Sequence, residues 1–149
     1  MPCNLYGTND NYDPQNSHVL PSFIRRFVTA ARENKAEEVL WGTGAPLREF
    51  MHVDDVANAV YYFMQNHDDP EVINIGYGTD ITIRELAEKI AAAAGYTGRI
   101  GWDSTKPDGM YRKLMDSSKA RALGWAPQIT LDEGIRRTVE EYRNGNGKR

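Results

Sequence analysis

The chain of 149 residues is long enough for one compact domain and too short for two ordinary ones. A formal net charge of −3 offers no basic field for a polyanion, and a mean hydropathy of −0.62 without a long apolar run argues against a membrane span. Cys3 is the only cysteine, which excludes an internal disulfide, and the first residues lack the features of a signal peptide. We therefore expect a cytoplasmic protein that binds neither nucleic acid nor membrane.

The first half of the sequence predicts a loop, a helix, a strand and a second helix. Residues 9–17 are crowded with Asn, Asp and Pro and indicate a surface loop. Apolar residues then recur at helical spacing, with Pro21 in the first turn, at Val19, Leu20, Phe23, Ile24, Phe27 and Val28. Residues 39–41 form a short strand candidate that Gly42 and Gly44 end.

The second predicted helix begins near Asp54 or Asp55, either of which can cap it. Its spacing predicts a buried face made of Val56, Ala59, Val60 and Phe63. A carboxylate pair for a metal or for acid–base chemistry is the alternative, but the apolar helical pattern that follows favours capping. His52 is interpreted as a packed structural residue, and we expect no metal site.

The second half continues the alternation of strands and helices. It predicts a buried strand over residues 72–75, a helix that opens on a capping box at residues 82–85 and ends at Gly95, and a strand over residues 99–102. A turn at residues 106–109, a short helix before Gly124 and a final helix with a capping box of Thr130 and Glu133 follow. This alternation predicts an α/β layer structure over residues 1–143 and a disordered tail over residues 144–149.

A glycine-rich turn brings an aromatic side chain and an arginine close together along the chain. The guanidinium of Arg48 suits a diphosphate, which it can hold with paired hydrogen bonds, and the ring of Trp41 offers a flat surface to a base or sugar. Considered singly, Arg48 also fits a surface salt bridge and Trp41 a core aromatic. His18, at a helix start beside a polar loop, can exchange a proton near neutral pH, although a surface histidine looks the same.

The order of several motifs along the chain resembles the extended short-chain dehydrogenase/reductases that act on nucleotide sugars. The shared motifs are Pro2-Cys3-Asn4-Leu5-Tyr6-Gly7, Asn16-Ser17-His18-Val19-Leu20-Pro21, Trp41-Gly42-Thr43-Gly44 and Arg48-Glu49-Phe50. The loop at residues 10–13 before His18, and Lys106-Pro107-Asp108-Gly109 before Arg112 and Lys113, narrow the resemblance to the GDP-L-fucose synthase family. The resemblance runs from Pro2 to about Tyr142.

The resemblance implies the α/β fold of the carboxyl-terminal part of an extended Rossmann-type reductase. That part comprises the small α/β substrate-binding domain, together with the last strand and helix elements of the cofactor sheet. The family converts GDP-4-keto-6-deoxy-D-mannose to GDP-L-fucose by epimerising C3 and C5 and then reducing the C4 ketone with NADPH. The resemblance also implies that the full-length enzyme is a homodimer.

The resemblance carries site roles onto matching positions of this chain. His18 matches the catalytic acid and also a cofactor contact, and the segment beside the nicotinamide of NADP(H) corresponds to Pro2, Cys3, Asn4 and Leu5. The positions that hold the GDP-sugar correspond to Arg26, Trp41, Arg48, Asp108 and Lys113. The family's glycine-rich cofactor loop, its Ser and Tyr-x-x-x-Lys residues and its epimerisation cysteine have no match here, and Cys3 is not that cysteine.

Two alternatives remain beside this interpretation. One is a portion of another nucleotide-sugar epimerase or dehydratase, against which His18 in its Asn-Ser-His setting argues. The other is a non-catalytic nucleotide-sugar binding or assembly module. Because the reduction residues belong to an amino-terminal cofactor-binding half, we expect the chain to be inactive alone and to need that half as a partner.

Overall fold

Strands and helices alternate along residues 1–145, which the computed structural model describes. In chain order the elements are β1 (Asn4–Tyr6), α1 (Val19–Arg32), β2 (Glu37–Trp41), β3 (Leu47–Arg48), β4 (Phe50–His52), α2 (Val53–Asn66), β5 (Ile81–Thr82), α3 (Ile83–Ala93), β6 (Arg99–Asp103), β7 (Arg112–Lys113), α4 (Ser118–Ala122) and α5 (Leu131–Arg143). The predicted loop at residues 9–17 lies between β1 and α1. Of the tail we expected to be disordered, residues 144 and 145 form a turn and residues 146–149 lie outside the described residues.

The strands form three small sheets. Parallel pairing joins β1 to β4 and β2 to β6, and the longer register of the second pair runs from Glu37 opposite Arg99 to Trp41 opposite Asp103. The third sheet has the order β5-β3-β7, in which β3 is antiparallel to β5 and parallel to β7. The middle strand β3, which carries Arg48, is therefore held from both sides.

The main hydrophobic core lies between three helices. The inward faces of α1, α3 and α5 contribute Leu20, Ile24, Phe27, Leu86, Ile90, Ile135 and Val139. This confirms the helical spacing from which α1 was predicted. A smaller cluster packs α2 and α4 against β4 through Met51, Ala59, Ile75, Ala120 and Trp125. No helix in the described part of the chain is long and apolar enough to cross a membrane.

The start of α2 differs from the prediction. His52 is the N-cap, and its ring accepts a hydrogen bond from the backbone N–H of Asp54 at 3.3 Å. The aspartates lie in the first turn, so the expectation that one of them caps the helix was wrong. His52 is buried, as expected, and Asp55 is buried too, where it accepts the backbone N–H groups of Gln128 and Ile129.

Two segments are less buried than predicted, namely one face of α2 and residues 72–75. On α2, Ala59 is fully buried, but Val60 is 55% exposed because the helix contacts the rest of the described chain along a narrow stripe. Residues 72–75 do not form a buried strand: Val72 is exposed, and only Ile75 makes a bridge, to Pro2. A single bridge on one side does not make a sheet strand, and that prediction was wrong.

The remaining predictions concern helix starts and turns. The capping box of α3 is confirmed, with hydrogen bonds in both directions between Thr82 and Glu85. At α5, Thr130 accepts the N–H of Glu133, but the Glu133 carboxylate instead binds Arg136 and Arg137, so only half of that box exists. The strand at residues 99–103 and the short helix α4 are confirmed, whereas the turn expected at residues 106–109 falls at residues 104–105.

Candidate functional site

A cavity of about 760 Å³ opens beside the amino-terminal half of α1. Its other walls come from the glycine-rich turn after β2, from β3 and from the loop before β7. Its volume lies in the range of pockets that hold small molecules and cofactors. Several of the predicted ligand residues line it together, namely Asn4, Leu5, His18, Arg26, Trp41, Arg48 and Asp108.

Trp41 presents its ring to this cavity because of the alternation along β2. Leu40 is fully buried, so its neighbour Trp41 points to the opposite face and is 71% exposed. The core-aromatic alternative is thereby excluded. The Nζ atom of Lys106 lies 5.6 Å from the centre of the ring, within the range of a cation–π contact.

Arg48 is oriented by backbone carbonyl groups. Its guanidinium donates to the carbonyl oxygens of Leu47, Met110 and Tyr111. Among the described residues Arg48 has no carboxylate partner. It therefore does not form the surface salt bridge that was the alternative. The carbonyl groups fix the direction of the guanidinium and leave its net charge in place, and Arg48 is one of the residues that line the cavity.

Asp108 joins the loop before β7 to the glycine-rich turn. Its carboxylate accepts the hydroxyl and the backbone N–H of Thr43, both at 2.7 Å. These two hydrogen bonds favour the charged form and hold the pKa of Asp108 below its usual range. The partner Thr43 was not predicted from the sequence; its place between two glycines, where the backbone can turn sharply, is the one signal that marks it.

His18 and Arg26 lie on α1 and differ in how freely they can act. His18 is the N-cap residue of α1, but its side chain makes no capping hydrogen bond and is exposed at the cavity. The guanidinium of Arg26 forms an ion pair with Glu38 and donates to the carbonyl of Val39. Arg26 therefore joins α1 to β2 as well as lining the cavity.

The structure does not bring every predicted site residue to the cavity. Pro2 forms a bridge with Ile75, and Lys113 is exposed on β7 opposite Arg48 in the register. Cys3 is half-buried, and burial together with the nearby charge of Glu49 raises the pKa of its thiol to about 11. At neutral pH a thiol with such a pKa is predominantly protonated.

Neither aspartate at the start of α2 belongs to the site. The Asp54 side chain is 63% exposed, whereas Asp55 is buried and bound to backbone N–H groups. Within residues 1–145, no group of three or more His, Cys, Asp or Glu side chains is placed to hold a metal ion.

The fold and the cavity define the class of this protein. It has the α/β fold of the carboxyl-terminal part of an extended Rossmann-type reductase, with small sheets packed against helices. The chain belongs to the NAD dependent epimerase/dehydratase family, whose model matches residues 1–76.

Individual relatives narrow the resemblance within that family. The chain is 54% identical over 142 residues to "Probable GDP-L-fucose synthase 1" of Oryza sativa subsp. japonica, covering 95% of this chain and 43% of that protein. It is 46% identical to the GDP-L-fucose synthase of Escherichia coli (strain K12), covering 95% and 47%. The solved GDP-L-fucose synthetase of Naegleria fowleri superimposes with a TM-score of 0.89 at 27% identity, covering 99% of this chain and 46% of that one, and has also been solved bound to NADP.

These comparisons confirm the resemblance to GDP-L-fucose synthases that the motifs indicated. A portion of some other nucleotide-sugar epimerase or dehydratase is not favoured. The chain spans a little under half the length of the relatives that it matches.

Proposed function

We propose that this chain forms the GDP-sugar-binding portion of a GDP-L-fucose synthase. The observation that carries the proposal is one cavity in which an exposed tryptophan, an aspartate and an arginine come together, and within residues 1–145 this arginine has no carboxylate partner. The full enzyme would convert GDP-4-keto-6-deoxy-D-mannose to GDP-L-fucose by 3,5-epimerisation and NADPH-dependent 4-reduction.

The proposed ligand contacts have roles that their chemistry supports. The Trp41 ring stacks on the base, the guanidinium of Arg48 binds the diphosphate oxygens, and the Asp108 carboxylate accepts hydroxyl groups of the ligand. Arg26 and Lys113 are further proposed contacts. Arg26 would need to share its guanidinium with Glu38, and Lys113 would need to reach the ligand from β7.

We assign the proton-transfer and cofactor roles by the same reasoning. His18, exposed at the cavity beside the loop of residues 9–17, is the proposed acid of the epimerisation. Asn4 and Leu5 line the cavity, and with Pro2, Cys3 and His18 they are the proposed contacts beside the nicotinamide of NADP(H). The NADP-bound relative supports the choice of cofactor.

The test of ligand binding is a calorimetric titration of the purified chain with GDP. Replacing Arg48 by Ala should weaken binding by about 1.5–3 kcal/mol, the usual contribution of a hydrogen bond to a charged group. Arg137→Ala is the matched control, because Arg137 is exposed on α5 and pairs with Glu133 outside the cavity. Absence of GDP binding by the unmodified chain, or equal GDP affinities of the Arg48→Ala and Arg137→Ala variants, would refute the proposal.

Catalysis requires more than this chain supplies. We expect no NADPH-dependent turnover of the keto sugar by the chain alone, and turnover after mixing with an amino-terminal half from a relative. Turnover by the pure chain would contradict this. GDP binding without activity in the mixture would favour the second candidate, a non-catalytic nucleotide-sugar module. For the complete enzyme we propose a cytoplasmic homodimer.

A further inference from the structure

A buried carboxylate lies directly beside the arginine of the cavity in the sequence. Glu49 follows Arg48 and is only 1% exposed. Burying a carboxylate is costly unless hydrogen bonds replace the water it loses. A buried Glu49 carboxylate is therefore expected to accept hydrogen bonds from other groups of the protein.

The partners of Glu49 are backbone groups from distant parts of the chain. The N–H of Gly78 donates to its Oε1 atom at 2.6 Å, and the N–H of Met115 donates to its Oε2 atom at 3.3 Å. The backbone oxygen of Glu49 also accepts the side-chain amide of Asn4 at 2.8 Å. This single residue thus contacts three other segments.

Two of these segments flank the strands on either side of β3. Gly78 precedes β5, and Met115 follows β7. Each of these strands is two residues long, so the ladder contributes few hydrogen bonds. The Glu49 carboxylate supplies a further link from the end of β3 to both neighbours, at the residue next to Arg48.

The backbone beside Glu49 leaves room for its carboxylate. A Cβ atom on Gly76 would lie 2.6 Å from Oε1 of Glu49, too close for any real contact. Because the carboxylate is buried and hydrogen-bonded, it cannot move aside without breaking those hydrogen bonds. A side chain at position 76 would therefore displace it.

We propose that Glu49 is a positioning residue for Arg48: by binding the segments before β5 and after β7, its carboxylate fixes the strand that aims the Arg48 guanidinium into the cavity. The identity of the ligand in this assignment rests on the proposed function. The structural part, that Glu49 fixes the strand carrying Arg48, does not. Asn4, which also lines the cavity, is held by the same residue.

The structural part is tested by hydrogen exchange on the full chain with Glu49→Gln. The amide keeps the shape of the side chain but turns an NH₂ group toward one of the two backbone N–H donors, so that link is lost. We expect exchange about tenfold faster in residues 47–50 and in the segment that loses its link, either residues 77–82 or residues 110–115. Unchanged exchange there would overturn the proposal.

Asp55→Asn is the matched control for this experiment. Asp55 is also a buried carboxylate that accepts two backbone N–H groups, but it joins α2 to the segment before α5, away from the cavity. Its replacement should speed exchange near residues 128–130 and leave residues 47–50 unchanged. If Glu49→Gln does not fold, Gly76→Ala, which displaces the carboxylate from the other side, is expected to give the same exchange pattern.

GDP affinity separates positioning from a general loss of stability. Glu49→Gln should weaken GDP binding about tenfold when Arg48 is present and leave it unchanged in the Arg48→Ala background. Equal losses in both backgrounds, or no loss in either, would overturn the positioning role. If the unmodified chain binds no GDP, the proposed function fails, and the exchange result alone decides the role of Glu49.

Discussion

Gly42 shows how closely the glycine-rich turn approaches the loop that carries Asp108. Its φ of 83° lies in the left-handed region, and a Cβ atom there would collide with the Asp108 carboxylate. Gly109 has a similar φ of 75°, but a Cβ atom there would meet nothing nearer than 4.0 Å. The two glycines share the same backbone requirement and differ in the space around them.

Gly42→Ala should therefore destabilise the protein more than Gly109→Ala. Both alanines adopt an unfavourable φ, at about 1–2 kcal/mol each, but only the first also disrupts the bonds between Asp108 and Thr43. We expect an additional loss of about 1 kcal/mol or more in the free energy of unfolding, measured with denaturant. Equal losses for the two variants would show that the Asp108 contact contributes nothing.

At the residue scale, the sequence predicted side chains better than their backbone partners. Trp41, Arg48 and Asp108 were found through motif resemblance, and they do meet in one cavity. The importance of Glu49 was missed because its partners are N–H groups, which every residue except proline carries and which leave no mark in a sequence. The His52 cap was missed because histidine seldom caps a helix, whereas aspartate often does.

Among the elements, α1 and β2 are joined by a buried ionic contact. Glu38 is 5% exposed and binds Arg26 of α1 and Lys35 of the intervening turn. Burial raises the pKa of Glu38, but the hydrogen bonds from Lys35 and Arg26 outweigh it and lower the pKa below its ordinary value. The charged form is therefore the one that the folded state stabilises.

Glu38→Gln should destabilise the protein in a pH-dependent way. A lowered pKa contributes stability above the ordinary value of 4.5 that is lost as the pH falls through the folded value. We expect a loss of about 1–3 kcal/mol at pH 7 that shrinks below about pH 4.5, measured by denaturant unfolding across that range. Glu37→Gln is the control, because its pair with the exposed Arg99 should contribute little at any pH. A difference in the free energy of unfolding between wild type and Glu38→Gln that stays constant with pH would contradict this prediction.

Long helices were predictable and short strands were not. α1 and α3 extend over enough turns for the apolar period to repeat, and a capping box marks the start of α3. β3, β5 and β7 have two residues each, too few to show alternation, and their pairing joins positions far apart in the chain. Residues 72–75 are apolar enough to suggest a buried strand, but that pattern cannot reveal which neighbours a strand finds.

At the scale of the whole molecule, most buried apolar side chains of the described residues lie in the core between α1, α3 and α5. Phe27 is fully buried there, with its ring 5.5 Å from that of Tyr96 and 6.1 Å from that of Phe23. Phe27→Ala should lower the free energy of unfolding by about 3–5 kcal/mol because it leaves a cavity. Met64→Ala, at a position 79% exposed on α2, should change it by no more than about 0.5 kcal/mol. Chemical denaturation of both variants measures the difference, and similar losses would place the core elsewhere.

The pairing of β3 with β7 also has a consequence for the order of folding. Arg48 and Met110 are 62 residues apart, and Thr43 and Asp108 are 65 apart. Closing such loops costs chain entropy before any contact repays it, whereas a helix such as α1 forms from near neighbours within microseconds. The helices can therefore begin to form from local contacts, although they are held mainly by packing on one another, whereas the walls of the cavity meet only when distant segments come together. A substitution that slows the meeting of these segments would therefore delay completion of the cavity relative to the helices.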